Sequence, residues 1–358
     1  MKKIIFISLP IILILIIIVL IVVLKKKPKI HYYKCPEKDN SELLNKVLSS
    51  NNISKNNSNF DLYMPCGYNY VESELSKINT PNSQFIFALQ GCDEIVSKNG
   101  LWQHLQNTYG HHTASTIMPE SFIISNPNDF HQAMQLVNNN VLICKKNIQR
   151  KLGLKFAFNQ KDLLDAKKDN FKVAQKFLQN TLQIKERKIN LRIYYVITKH
   201  KNNLQFFINK NGKILYTKEK TSNNINFETH ITSFQMDPNL YQKENLPHNL
   251  NELKKYLGKP NFNLLWSKII QKIKLLSYAI FPIFHNSKYF HKTCFQLFGM
   301  DIIIDNNEPY ILEINKGPDM IPKCDKDIKL KESIYEETFN LVGLIPFYIK
   351  KNNFIKIL

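Results

Sequence analysis

Arginine is almost missing from this chain. Of 49 basic residues only Arg150, Arg187 and Arg192 are arginines, and the rest are lysines. The six cysteines, at positions 35, 66, 92, 144, 294 and 324, are scattered singly, with no C-x-x-C or C-x-x-H pair. That spacing argues against a zinc ribbon or a disulfide-dense secreted module, and dispersed thiols favour a reducing compartment. Acids are outnumbered, 29 to 49, for a formal charge of +20. Lysine is spread along the chain without a nucleic-acid-binding motif, so no nucleic-acid partner is expected. A lysine-, asparagine- and isoleucine-rich composition poor in arginine is what an AT-rich genome produces. The functional reading of the same charge is attraction to an acidic partner or an anionic membrane. No internal repeat is visible. At 358 residues and 44% hydrophobic, the chain can bury the core of one large domain or of two to three lobes, which excludes global disorder.

Ile4 to Leu24 carries no charge. As a helix it would extend roughly 31 Å, enough for a bilayer core. It is flanked by Lys2, Lys3, Lys25, Lys26, Lys27 and Lys29, with no small-residue cleavage site. The expectation is one uncleaved transmembrane anchor at 4–24, single-pass, with the body on the cytosolic side by the positive-inside rule. Residues 25–59 are rich in Lys, Asn and Ser and read as a basic, polar tether. Leu264 to Phe284 is apolar but interrupted by Lys268, Lys272 and Lys274. Its Trp266, Ile269, Ile270, Ile273, Leu276 and Ile280 fall at helical spacing, which predicts an amphipathic core helix.

Short apolar runs then read as strands at 84–89, 141–144, 191–197, 204–209, 301–304 and 310–314, with helical patterns between them. The fold class is α+β with at least two lobes. The last two strands form the most informative segment, Phe298-Gly299-Met300-Asp301-Ile302-Ile303-Ile304 followed by Tyr310-Ile311-Leu312-Glu313-Ile314-Asn315. Glu313 and Asn315, two apart, share a strand face. With 305–309 as the loop, antiparallel counting sets Asp301 opposite Glu313. Two carboxylates and an amide oxygen on one face make a hard-oxygen site suited to Mg²⁺.

This segment closely resembles the C-terminal ATP-binding motif of the tubulin–tyrosine ligase-like family, which are ATP-grasp carbon–nitrogen ligases. Further matches follow in the family's order between roughly residues 60 and 345. Lys98, before Gly100-Leu101-Trp102, and Lys145, after Ile143-Cys144, stand where the family has phosphate-contacting lysines. Met118-Pro119-Glu120-Ser121-Phe122 resembles its P-x-T-F segment. Gln175-Lys176-Phe177-Leu178-Gln179-Asn180 resembles its adenine-contacting hinge between lobes. Lys188-Ile189-Asn190-Leu191-Arg192 resembles K-F-D-x-R, and His230-Ile231-Thr232-Ser233 resembles H-L-T-N, which lines the ATP cleft.

The resemblance implies an ATP-grasp fold of two to three lobes over 60–345, divided near 60–95, 96–178 and 179–345, with the ATP cleft between lobes. It implies ATP and Mg²⁺, the metal held by Asp301, Glu313 and Asn315. Lys98, Lys145 and Arg192 would stabilise phosphoryl charge, and Lys188, Gln175 to Leu178 and His230 to Thr232 would bind nucleotide. The implied reaction joins a free amino acid to a carboxylate of an acidic acceptor protein through an acyl phosphate, tubulin tails being the family's usual acceptors. Departures are Asn190 for the family's Asp, Ser233 for its Asn, and Leu215-Tyr216-Thr217 where many members carry an arginine; Lys213 or Lys218 stands near that gap. The loop 147–154 has a single glycine where the family is glycine-rich. Two alternatives stay open: a catalytically silent tethered binding module, and a ligase acting on a substrate other than tubulin.

Overall fold

The computed structural model describes residues 30–35, 40–66, 71–77, 83–148, 153–232, 236–285, 292–345 and 352–358. In chain order the strands and helices begin with β1 (Ile30–Tyr33), α1 (Glu42–Ser50), β2 (Ile53–Lys55), β3 (Leu62–Tyr63), α2 (Val71–Lys77) and β4 (Phe85–Ile86). A central group follows: α3 (Cys92–Val96), α4 (Lys98–Ile117), β5 (Ser121–Ile123), α5 (Pro127–Leu136), β6 (Leu142–Lys145), β7 (Leu154–Ala157), α6 (Gln160–Lys168) and β8 (Val173–Lys176). The remainder is β9 (Gln183–Ile184), β10 (Arg187–His200), β11 (Asn203–Tyr216), α7 (Phe227–His230), α8 (Leu240–Lys243), α9 (Leu250–Leu257), α10 (Lys259–His285), β12 (Thr293–Asp305), β13 (Glu308–Asn315), α11 (Asp325–Leu341) and β14 (Phe354–Lys356). The expected α+β class is what the chain adopts.

Ten strands form one mixed sheet in the order β14-β11-β10-β12-β4-β3-β1-β2, with β13 beside β12 and β9 beside β10. β10, β11, β12 and β13 pair antiparallel, whereas β12, β4, β3, β1 and β2 run parallel. Strand pleating divides β10 between two environments. Leu191, Ile193, Tyr195 and Ile197 enter a core shared with α4 and α10. Tyr194 and Val196 face the opposite core, built on α1 and α11. Asn190 and Arg192 share the face of Tyr194, so Arg192 leaves the first core by parity alone. The buried stripe of α10, Phe262, Leu265, Ile269, Ile273, Leu276 and Ile280, repeats every three to four residues as the sequence predicts. α4 is interrupted at Gly110, whose φ of 75° suits glycine.

A second sheet, β5-β8-β6-β7, packs on α5 and α6 around its own small core of Phe122, Ile124, Leu142, Cys144, Ala157 and Leu163. The chain leaves it after β8 and enters the large sheet where Leu182 N–H donates to Ile304 O (2.8 Å) and Asn306 N–H donates to Asn180 O (3.2 Å).

Three expectations are corrected. The described part of 25–59 is not a tether, because β1, α1 and β2 join the large sheet and its second core. Isolated from their partners, four residues such as Ile30–Tyr33 give no period to read; pairing with β2 and β3 defines them. Next, the expected single-pass membrane placement fails on the finding that, among the described residues, no helix is long and apolar enough to cross a bilayer. The segment 4–24 on which it rested lies outside those residues, so the described residues give no support to the membrane as a partner. Finally, Cys35 and Cys66 form a disulfide, with Cys92, Cys144, Cys294 and Cys324 free. The pair is 31 residues apart and belongs to no short cysteine motif; the parallel register Tyr33↔Tyr63 brings the two together. Closing a loop of that length restricts the unfolded chain by about 3–4 kcal/mol. Cys35→Ser should therefore lower the melting temperature by several degrees, and reductant should do the same to wild type but not to the variant.

Candidate functional site

The β12–β13 hairpin carries the two carboxylates. Its turn is tighter than expected. Asn306 (φ 49°) and Asn307 (φ 63°) both take positive φ, as a two-residue type I′ connection requires, and Asp305 faces Glu308. Ile302 pairs with Ile311, Leu312 is bulged out, and Asp301 then pairs with Glu313. The shorter turn and the bulge offset each other, so the anticipated Asp301–Glu313 pairing holds. The row continues across the sheet: Arg192 on β10 is opposite Asp301, and Lys213 on β11 is opposite Arg192. Four neighbouring strands thus present Lys213, Arg192, Asp301 and Glu313 side by side.

Arg192 grips Asp301 with both arms of its fork, Nε to Oδ1 at 2.5 Å and Nη2 to Oδ2 at 2.9 Å. Gly299 makes this possible, since a Cβ there would lie 2.9 Å from Arg192 Cδ and 2.9 Å from Pro318 Cβ. Burial opposes the Arg192 charge, but Asp301's charge and hydrogen bonds outweigh it and hold the guanidinium pKa above its ordinary value. Glu313 lies 3.5 Å from Lys98 and accepts from Asn315 Nδ2 at 3.1 Å. Burial alone would raise the Glu313 pKa; Lys98 and Lys145, with Asn315 and Arg192, bring it below the usual carboxylate range. Lys98 occupies the first turn of α4, where a cation opposes the helix dipole. Its placement there serves the carboxylate, not the helix.

Lys145 reaches in from the small sheet. Its ammonium donates to Gln175 Oε1 at 2.6 Å, and Gln175 Nε2 donates to Ser121 Oγ at 2.8 Å. Burial lowers the Lys145 pKa to about 8, against the pull of Glu313. Below pH 8 the folded state must bury a charge, and between about 8 and 10.5 it is neutral while the unfolded lysine is still protonated. Its penalty on stability is therefore present below pH 8 and relieved as pH rises through that window. Any anion that depends on this cation is expected to bind more weakly above pH 8. Lys145→Arg should flatten that basic limb in a calorimetric pH series; an unchanged limb would remove Lys145 from the anion contacts.

All these groups open on one cavity of about 970 Å³ between the two sheets. Of the residues singled out in the sequence, Lys98, Lys145, Gln175, Lys176, Phe177, Leu178, Arg192, His230, Ile231, Thr232, Asp301, Glu313 and Asn315 line it. Lys188 does not. It is buried behind Phe177, with Nζ 4.8 Å from that ring's centroid and donating to Gln179 O at 3.3 Å. Burial pushes the Lys188 pKa to about 8 despite Asp305. His230 is buried near Phe177 (ring centroids 5.8 Å apart) and is neutral at physiological pH, burial and then Lys188 bringing its pKa to about 4. Asn190 also lines the cavity, and its buried Oδ1 has no hydrogen-bond partner. Ser233 and residues 149–152 of the loop 147–154 lie outside the described residues.

Around the arginine gap, Leu215 lines the cavity, while Tyr216 is buried and donates to Pro247 O at 2.8 Å. Lys213 faces the cavity from two positions earlier, and Lys218 pairs instead with Glu228 at 2.6 Å. The sequence reading missed Lys331 and Asp327 of α11. An aspartate and a lysine four apart were legible as one helical face, but not their burial. It also missed the apolar bed of Ile303 and Leu312, which read only as packed strand.

Among the described residues no three or more His, Cys, Asp or Glu side chains cluster as a metal site. Asp301 and Glu313 with the Asn315 amide nevertheless supply oxygen donors of the hard type, and the flanking Lys98, Lys145 and Arg192 suit phosphate oxygens. This donor set fits a magnesium-bound polyphosphate.

The model of the tubulin-tyrosine ligase family matches residues 76–353. The chain is similar to the probable tubulin polyglutamylase TTLL2 of Homo sapiens, 29% identical over 279 residues that cover 71% of this chain and 45% of that protein. It is similar to the tubulin polyglutamylase ttll-4 of Caenorhabditis briggsae, 25% identical over 279 residues, 71% of this chain and 45% of the other. The tubulin monoglutamylase TTLL4 of Mus musculus is 25% identical over 282 residues, 71% of this chain and 23% of its own length. The aligned region is less than half of each of these relatives.

Proposed function

The chain belongs to the tubulin-tyrosine ligase family, and we propose that it is an ATP-grasp ligase joining a free amino acid to a carboxylate of an acidic acceptor protein. The observation that supports this most directly is the meeting in one cavity of Arg192, Asp301 and Glu313 from the large sheet with Lys145 and Gln175 from the small one. In this reading Asp301, Glu313 and Asn315 hold Mg²⁺, and Phe177, Leu178, Ile303 and His230 enclose the base of ATP. When bound, Mg²⁺·ATP supplies the phosphoryl group.

The protein's part is positioning and charge. The acceptor carboxylate oxygen bonds to the terminal phosphorus as ADP leaves, giving an acyl phosphate. The amine nitrogen of the amino acid then bonds to the carbonyl carbon, phosphate departs, and the nitrogen loses a proton. Arg192 offers a planar fork, and Lys98 and Lys145 offer point charges, to the oxygens that gain charge in the first step. Neutral His230 adds no cation to the base end. In the absence of nucleotide, Arg192 and Lys98 neutralise Asp301 and Glu313, so the acids do not repel each other before the cation arrives.

Tubulin tails are the acceptor this reading favours, since the relatives named above are tubulin polyglutamylases and a monoglutamylase. The test is transfer of labelled amino acids to acidic tail peptides with ADP release. Labelling that requires ATP, Mg²⁺ and the peptide together supports the reading. ADP release without labelling of any acidic peptide, across the common amino acids, contradicts it.

A further inference from the structure

One strand beyond Arg192, away from Glu313, the cavity wall carries a second set of charges. Lys213 Nζ lies 2.9 Å from Asp327 Oδ2, and Lys331 Nζ lies 3.0 Å from the same oxygen. Asp327 is fully buried, and Lys331 is almost so. At the rim Lys323 and Asp319 stand 4.0 Å apart. His248, 4.0 Å from Asp327 Oδ1, adds no charge near neutrality, because burial and Lys213 push its pKa down to about 4. Lys213, Lys323, Lys331 and Asp319 all line the cavity. Lys323 and Asp319 are about half exposed and balance each other, whereas the buried Lys213 and Lys331 share Asp327, which among the described residues leaves one buried positive charge without a counter-charge. Such a charge is costly unless an anion joins it.

We propose that Lys213, backed by Lys331, is a carboxylate subsite that receives the α-carboxylate of the incoming amino acid. The proposal rests on the ligase reading above. Neighbouring strands are about 4.8 Å apart, so a carboxylate on Lys213 keeps the amine of the same carbon within about one strand spacing of Arg192. A side-chain carboxylate held there would carry the amine further from that point by the length of the side chain. Phosphate oxygens have their own cations at the other end of the row, in Arg192, Lys98 and Lys145. Asp327 holds the Lys213 ammonium in place before the ligand arrives, and only one of its three N–H donors is needed for that contact.

The experiment uses the full chain. AMP-PNP with Mg²⁺ is titrated first, and then, at saturating AMP-PNP, L-glutamate is compared with 4-aminobutyrate, its analogue lacking the α-carboxylate. Glycine and methylamine form a second pair. Wild type is expected to bind the α-carboxylate member of at least one pair about tenfold or more tightly. Lys213→Met should erase that preference while leaving the AMP-PNP affinity within about twofold, and Lys213→Arg should retain it. Removing Lys213 leaves Lys331 and Asp327 matched one to one, so the fold should survive, with the melting temperature as the check; Lys213→Gln serves if the Met variant does not fold. No preference in wild type for either pair overturns the subsite, as does a preference that survives loss of Lys213. An equal loss of AMP-PNP affinity in Lys213→Met would assign Lys213 to the nucleotide and also overturn it. Failure of wild type to bind AMP-PNP is a separate result, and it overturns the ligase reading on which the subsite rests.

Discussion

Glu313→Gln is expected to keep the fold and to lower turnover roughly a hundredfold or more. The substitution is nearly isosteric, so the β12–β13 packing survives. It removes one of two facing carboxylates from the end of the cavity assigned to the cation, where such a charge is worth several kcal/mol during phosphoryl transfer, at about 1.4 kcal/mol per tenfold. It also withdraws a counter-charge that raises the Lys145 pKa, so the basic limb of nucleotide binding should move to lower pH. Glu308→Gln is the control. Glu308 pairs with Lys268 on α10, near the turn of the same hairpin and only partly buried, where ion pairs contribute little. Steady-state rates for both variants, with melting temperatures alongside, decide the matter. Equal rates for the two would remove Glu313 from the reacting end.

Arg192→Met should destabilise the ligand-free chain by about 3–5 kcal/mol, because it strands Asp301 as a buried carboxylate that has lost its bidentate partner. For a protein of this size that corresponds to a fall of roughly 4–7 °C in melting temperature. Arg192→Met combined with Asp301→Leu should recover most of the loss, since it removes both charges. Thermal unfolding of wild type, the single variant and the double variant gives the coupling. A single variant as stable as wild type would mean that the pair contributes nothing before ligand binds.

Legibility in the sequence followed how local each interaction is. The Asp301–Glu313 pairing was readable because both residues sit in one hairpin, although two unseen features, the Asn306-Asn307 turn and the bulge at Leu312, had to offset each other. The α10 stripe was readable for the same reason: its periodicity lies within one element. Side chains delivered by distant strands were harder. Lys188 shares the strand face of Asn190 and Arg192, but its ammonium lies over the Phe177 ring and donates to Gln179 O, behind the cavity wall. Lys213 becomes a cavity residue only through the register that sets it beside Arg192. Asp327 and Lys331 needed the packing of α11 against the sheet, which no spacing within α11 reveals. At the N-terminal side, β1 and the Cys35–Cys66 link depend on a parallel pairing across some thirty residues, and parallel pairs leave no hairpin signature to find.

In the ligase reading the cavity between the two sheets is a magnesium-dependent nucleotide site. Its most direct test is a calorimetric titration of the full chain with AMP-PNP, with Mg²⁺ present and then with Mg²⁺ removed by chelator. Saturable binding at one nucleotide per chain, weakened at least tenfold without Mg²⁺ and lost in Asp301→Asn combined with Glu313→Gln, is the predicted result. Binding that ignores both Mg²⁺ and those two carboxylates, or no binding at all, would contradict it.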